Sequence, residues 1–125
     1  MFPSAIGVWR EEELIHEKVQ SGNDKGTFRV IFSLTGSNVG DKGGMVYYEF
    51  VSLTRSDTQA VAILVLDEVA NDHIKFSEEP FLINTGNAIL STISLESIAN
   101  DPDSLFYKYK SKDGSRWGHG TLKRM

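Results

Sequence analysis

The chain has 125 residues, 40% apolar and 24% charged, with a net charge of −4, which predicts one globular domain and excludes disordered and fibrous classes. The charge is uneven. Residues 108–125 carry six Lys/Arg against one Asp, a local +5, and residues 1–107 carry 7 bases against 16 acids, a local −9, so a uniformly basic coat for long nucleic acid is excluded and a local anion site is not.

Residues 4–20 support two readings. Glu11, Glu12, Glu13, Leu14, Glu17, Lys18 and Gln20 are good helix formers, with Ser4 as a cap and Gly22 as a stop. Trp9, Ile15 and Val19 also share one face at strand period. Beyond them, Phe28, Val30, Phe32 and Leu34 alternate with Arg29, Ile31, Ser33 and Thr35, a strand pattern. A loop with four glycines spans 36–44. The stretch 45–54 is rich in aromatic and β-branched residues, and 59–67 is apolar nearly throughout. Shorter runs follow at 73–77, 80–84 and 88–95, and residues 94–100 have room for one helical turn. Leu105 to Lys110 and Arg116 to Lys123 flank Asp113-Gly114, a strong hairpin signal. Gly, Asn and Asp clusters at 21–24, 55–57, 71–72, 84–87 and 100–103 mark the remaining reversals.

With the first segment counted as a strand, the chain reads as mainly β: an up-and-down antiparallel meander of about eight strands, closed or half-closed into a barrel. Closure removes exposed edges, and eight strands leave room for one small ligand. The rival is an open sheet crossed by an N-terminal helix. Residues 59–66 are apolar on both faces, so something must cover one of them. A second subunit or the N-terminal helix would do so, and a homo-oligomer is the expectation. The N-terminus lacks a charged region before an apolar stretch, and the longest apolar run, Ala60 to Leu66, is too short to span a bilayer as a helix. A cytoplasmic protein with no membrane partner is expected. No cysteine is present, which excludes disulfides, thiolate metal sites and a Cys nucleophile.

Gly7-Val8-Trp9 near the start, with Arg124 in the last strand, resembles the calycin pattern of lipocalin-like barrels. The resemblance implies that Trp9 packs at a closed barrel end with Arg124 lying across it, both as structural plugs. The long first loop and the cysteines of secreted members are missing, so it implies a compact intracellular barrel.

No motif fixes a reaction. The glycine loop lacks a Gly-Lys-Ser/Thr ending, so a flexible loop or a lid is expected there rather than a phosphate cradle. His16, His73 and His119 lie on separate segments without metal-ligand spacing, and neither a metal nor a cofactor is expected. Glu11-Glu12-Glu13 read as a solvated face. Glu49 either shares an apolar cavity with Tyr47 or faces solvent while Val46, Tyr48 and Phe50 fill the core.

The C-terminal hairpin interleaves rings and cations, the two things a nucleotide-like ligand needs: stacking surface and a phosphate partner. A small molecule with an apolar or aromatic part and an anionic group, such as a nucleotide, is therefore the expected ligand. Tyr47, Tyr48, Tyr107, Tyr109 and Trp117 would supply the rings, Arg29, Lys108, Lys110 and Arg116 the charge, with His119 beside them. Two alternatives are acid–base catalysis by a Tyr, Glu49 or His119, and an oligomeric interaction or inhibitor protein that uses residues 59–66.

Overall fold

The structure, a computed structural model, describes residues 5–22, 24–36, 38–51, 58–85 and 88–125. The Ser4 cap and the expected turns at Asn23, Arg55–Asp57 and Gly86–Asn87 lie outside them. Ten strands form one sheet: β1 (Gly7–Glu11), β2 (Ile15–Val19), β3 (Asp24–Leu34), β4 (Lys42–Val51), β5 (Gln59–Val69), β6 (His73–Glu78), β7 (Ile83–Asn84), β8 (Ser91–Ile98), β9 (Asp101–Ser111) and β10 (Arg116–Arg124). Every pairing is antiparallel, and β9–β10 closes the sheet into a barrel. Among the described residues no helix is long and apolar enough to cross a membrane.

The ten strands fill eight barrel positions. β1 and β2 are two halves of one position. β1 pairs with the C-terminal half of β3 (Trp9 opposite Phe32), and β2 pairs with its N-terminal half (Ile15 opposite Phe28). β6 and β7 likewise pair with successive parts of β5. The helical reading of 4–20 is thus corrected to two strands broken at 12–14. Local propensity favoured a helix, but Trp9 and Ile15 are both fully buried in the barrel core, and only strand period aims them there. The possible helical turn at 94–100 is instead the end of β8 and a tight turn in which Asn100 takes φ 62°.

The break between β1 and β2 would orphan a backbone donor. Glu11 fills the gap: its Oε2 accepts from the buried Val30 N–H at 3.0 Å, while its Oε1 meets Arg10 Nη2 at 3.4 Å. Glu11 is therefore buried and structural, and only Glu12 and Glu13 form the solvated face expected of all three.

One barrel end is plugged. Trp9 Nε1 donates to Ala5 O at 3.0 Å, and the Arg124 guanidinium stacks over the indole with its Cζ 4.2 Å from the ring centroid. Arg124 Nη1 also donates to Ile6 O at 3.0 Å. This is the contact implied by the calycin resemblance. The glycine loop folds over the same end. Among its described residues the amides of Gly36 and Gly40 are engaged by backbone carbonyls, Gly36 N with Gly43 O (3.0 Å) and Gly40 N with Leu66 O (2.8 Å), so these two are not open to an anion. Gly43 and Gly44 are there for close approach: a Cβ on Gly43 would meet Leu66 Cγ and Phe76 Cε1 at 2.7 Å each, and one on Gly44 would meet Ser33 O at 2.1 Å.

Candidate functional site

Strand alternation divides the expected site residues between four places. Tyr48, Tyr107 and Tyr109 point inward and are buried. Lys108, Lys110, Trp117 and His119 are on the outer face of β9 and β10. Arg29 and Tyr47 are on the outer face of the wall of β3 and β4, where Arg29 is opposite Glu49 and Tyr47 is opposite Ile31 and Val61. Arg116 sits at the open barrel mouth, its Nη1 3.7 Å from Glu17 Oε1. No single ligand touches all ten. Glu49 faces outward with Tyr47, while Val46 and Tyr48 enter the core. Glu49, His119 and the inward tyrosines are therefore apart, and do not assemble the acid–base site considered above.

The expected interior cavity is filled. Trp9, Phe28, Phe32, Tyr48, Phe76 and Tyr107 occupy the barrel with aliphatic side chains from every strand position. Among the described residues a hollow of about 20 Å³ lies near the mouth, room for one water-sized group.

Larger space lies on the outer wall. A groove of about 800 Å³ runs across β6, β8, β9 and β10. Its floor is low because β8 presents Thr92 and Ser94, and neighbouring strands place longer side chains beside them. Lys110 is opposite both Thr92 and Trp117; Lys108 is opposite Ser94 and His119; Ser94 is opposite Lys75. Phe106 stacks at a tilt on His119, ring centroids 5.9 Å apart. The charge is locally positive but not free: Lys108 Nζ meets Glu96 at 3.0 Å and Lys75 Nζ meets Glu68 at 3.7 Å. Lys110 has no ion-pair partner among the described residues. On the floor's far side Asp67 accepts a hydrogen bond from Ser77.

The six C-terminal cations do not form one patch. Lys108 and Lys110 face the groove. Lys112 is exposed in the β9–β10 turn, Arg116 is at the mouth, Lys123 meets Asp101 (3.5 Å) and Ser104, and Arg124 covers Trp9. Lys75 joins the groove from β6, which the sequence reading missed; its alternation with Ile74 and Phe76 was the available signal. The hairpin that carries the groove is fixed by Asp113, whose Oδ1 accepts from Ser115 N (2.9 Å), Ser115 Oγ and Ser111 Oγ (2.7 Å each). Those bonds hold its carboxyl down at a pKa of about 2.

A second cluster lies inside the mouth. Tyr48 Oη donates to Glu78 Oε2 at 2.5 Å, and Ser91 N donates to Glu78 Oε1 at 2.7 Å. Burial raises Glu78 to a pKa of about 7 despite these two bonds and the field of Lys112. Tyr109 Oη donates to Glu17 Oε2 at 2.7 Å. Burial also pushes the Tyr48, Tyr107 and Tyr109 phenols well up, so all three are neutral donors at ordinary pH. Sequence reasoning singled out neither Glu17 nor Glu78 as a site residue, although both continue an inward period-2 pattern (Ile15, Glu17; Ile74, Phe76, Glu78).

The histidines stay apart. His73 Nε2 lies 2.5 Å from Glu68 and Nδ1 2.9 Å from Asp72, hydrogen bonds that raise its pKa. Among the described residues no group of three or more His, Asp or Glu could hold a metal ion.

No protein-family model and no curated protein matches the chain. Several solved β-barrels do match in fold. A redesigned beta barrel, b11L5F_LGL, superposes with a TM-score of 0.60 at 13% identity, over 98% of this chain and 92% of that one. EF1p2_mFAP2b bound to DFHBI gives 0.58 at 15% identity, over 98% and 94%. A de novo designed fluorescence-activating beta barrel gives 0.55 at 12% identity, over 96% and 93%. At these identities the likeness is one of fold: a closed antiparallel barrel.

Proposed function

We propose that the protein binds a small molecule with a flat ring and an anionic group, such as a nucleotide, in the outer groove of β6, β8, β9 and β10. One observation carries this reading: the roughly 800 Å³ groove brings Phe106, Trp117 and His119 together with Lys75, Lys108 and Lys110. Rings supply stacking area, and the lysines supply orientation and a point-charge partner for phosphate or carboxylate. An otherwise acidic surface focuses small anions onto such a local basic strip. That a barrel of this architecture takes up a small molecule is supported by EF1p2_mFAP2b, which holds DFHBI. The Trp9–Arg124 plug supports a calycin-like ancestry.

Titration calorimetry with AMP tests the reading. The wild-type protein is expected to bind, the triple variant Lys75→Glu/Lys108→Glu/Lys110→Glu to lose binding, and Trp117→Ala to weaken it. A triple variant that folds and binds AMP as the wild type does would remove the groove as the site.

We also propose self-association through the outer face of β4 and β5. Val61, Ile63 and Val65 are only half-buried there, and the register places Tyr47 beside Val61 and Met45 beside Ile63. Met45 and Ile83 remain 44% and 45% exposed, and Ile83 pairs with Val61, so the apolar rows continue across three strands. Sedimentation velocity should show a dimer or larger species that Met45→Lys dissociates; a strict monomer at high concentration overturns it.

A further inference from the structure

The hollow inside the mouth is small but chemically one-sided. Glu17, Glu78 and Arg116 line it together with the rings of Phe28, Tyr48 and Tyr109. Arg116 lies beside Glu17, whereas Glu78 has no cation within ion-pair distance among the described residues. An ionised carboxylate buried to 2% exposure without a counter-ion is costly even with its two hydrogen bonds. The rings turn edges and faces on one another, Phe28 standing edge-on to Tyr48 at 5.5 Å and to Tyr109 at 5.6 Å.

A second observation is independent of the acids. Tyr107 is fully buried, and its hydroxyl has no hydrogen-bond partner among the described residues. It nevertheless faces the Tyr48 hydroxyl and feels the charge of Glu78. Buried polar groups are nearly always satisfied, so an unsatisfied hydroxyl beside the Tyr48 hydroxyl, which itself bonds Glu78, marks a place for one more polar group.

We propose that Glu78, with the Tyr48 and Tyr107 hydroxyls, binds the ammonium head of a small primary amine. The donor count fits. Tyr48 and Ser91 use two of the acceptor positions of Glu78, leaving two, and the Tyr48 and Tyr107 oxygens each retain lone pairs. An ammonium carries three N–H donors and no acceptor, whereas a hydroxyl ligand carries one donor and a carboxylate none. The ammonium is also water-sized, which the hollow admits, and aromatic faces favour a cation over a neutral group. The alkyl tail would leave past the half-buried Phe50, Ile89 and Arg116 at the rim. This site is separate from the outer groove, and neither depends on the other.

Protonation should compete with the ligand. The groups facing Glu78 are Tyr48 from β4, Tyr107 and Tyr109 from β9, Glu17 from β2, and Lys112 and Arg116 at the β9–β10 turn. Of these the tyrosines stay neutral throughout the neutral range, so loss of affinity on acidification reads mainly Glu78, whose carboxyl titrates at about 7.

The test is titration calorimetry of the full chain with n-butylamine, n-butanol and butyrate at about pH 8. The amine is expected to bind at least tenfold more tightly than the isosteric alcohol, and butyrate not at all. Glu78→Gln should lower amine affinity at least tenfold, Tyr107→Phe should lower it severalfold, and lowering the pH from about 8 to 6 should lower it about tenfold. Equal affinity for amine and alcohol, unchanged affinity in Glu78→Gln, or no heat with any of the three (a hollow that holds water only) would overturn the proposal. If Glu78→Gln does not fold, Tyr107→Phe decides, and unchanged amine affinity there overturns it as well.

Discussion

Replacing Glu78 by Gln should change how stability depends on pH more than it changes stability itself. In the folded barrel burial holds the carboxyl at a pKa of about 7, against 4.5 for an ordinary glutamate. Between those values the folded state binds the proton and the unfolded chain does not. Glu78 therefore contributes most to stability at low pH, and this contribution falls as the pH rises through 4.5 toward about 7, then levels off. Between about pH 5 and pH 8 the linkage amounts to roughly 2.5 kcal/mol lost by the wild type and not by the variant. Gln is neutral throughout and similar in shape. Its single carbonyl oxygen satisfies either Tyr48 or Ser91 but not both, so the variant carries a constant cost of about 1–3 kcal/mol. His73 and Asp113 titrate identically in both proteins and cancel in the difference. For a domain of this size the effect is a relative Tm change of about 10 °C, taking about 4 °C per kcal/mol. Urea melts of the two proteins across this pH range, with equal m-values, measure it directly. Stability curves that run parallel from about pH 5 to pH 8 would refute a buried, desolvated Glu78.

Other substitutions probe the frame that holds the sites. Glu11→Ala removes the acceptor for Val30 N–H and should cost about 1–3 kcal/mol in urea unfolding, since a buried donor is left unpaired. Gly44→Ala sets a Cβ 2.1 Å from the Ser33 carbonyl oxygen at φ +148°, whereas Gly40→Ala, at φ +90°, meets no atom within 4 Å. Thermal melts should therefore show Gly40→Ala losing only about 1 kcal/mol for the left-handed backbone and Gly44→Ala losing several times that or failing to fold. Arg124→Lys keeps the charge but loses the planar stack on Trp9 and the Nη1 hydrogen bond to Ile6 O, and should lower stability by about 1–2 kcal/mol with a matching change in tryptophan fluorescence.

Much of the barrel could be read directly because period-2 patterning is a local signal. Phe28, Val30, Phe32 and Leu34 all enter the core, as their alternation predicts, and Asp113-Gly114 makes the expected hairpin. Gly7-Val8-Trp9 and Arg124 meet at the plugged end although they lie at opposite ends of the chain. The N-terminal segment was ambiguous because Glu11 to Glu13 and Lys18 have helical propensity, and that preference is overridden only by burial of Trp9 and Ile15 against strands distant in sequence. Glu11 itself could not be recognised as structural, since the donor it satisfies, Val30 N–H, is 19 residues away and is orphaned only by the β1–β2 break.

The site was harder to read for a related reason. Rings and cations adjacent along the hairpin are not adjacent in space: Tyr107 and Tyr109 point into the barrel, and Lys108 and Lys110 point out of it. The same alternation that identifies the strands therefore splits a composition-based patch into two environments of opposite character. Outside, Lys108 and Lys110 gain Lys75 from β6 through pairings to β8, and Trp117 and His119 through pairings to β10. Inside, Tyr48, Tyr107 and Tyr109 surround Glu78 and Glu17, which come from strands whose registers no local pattern reveals. A basic groove and an acidic hollow thus share one hairpin, back to back across a single layer of backbone. A charge reversal of Lys108 and Lys110 should consequently abolish binding in the groove while leaving the pH dependence set by Glu78 in place, because the two sites have no side chain in common other than Tyr109.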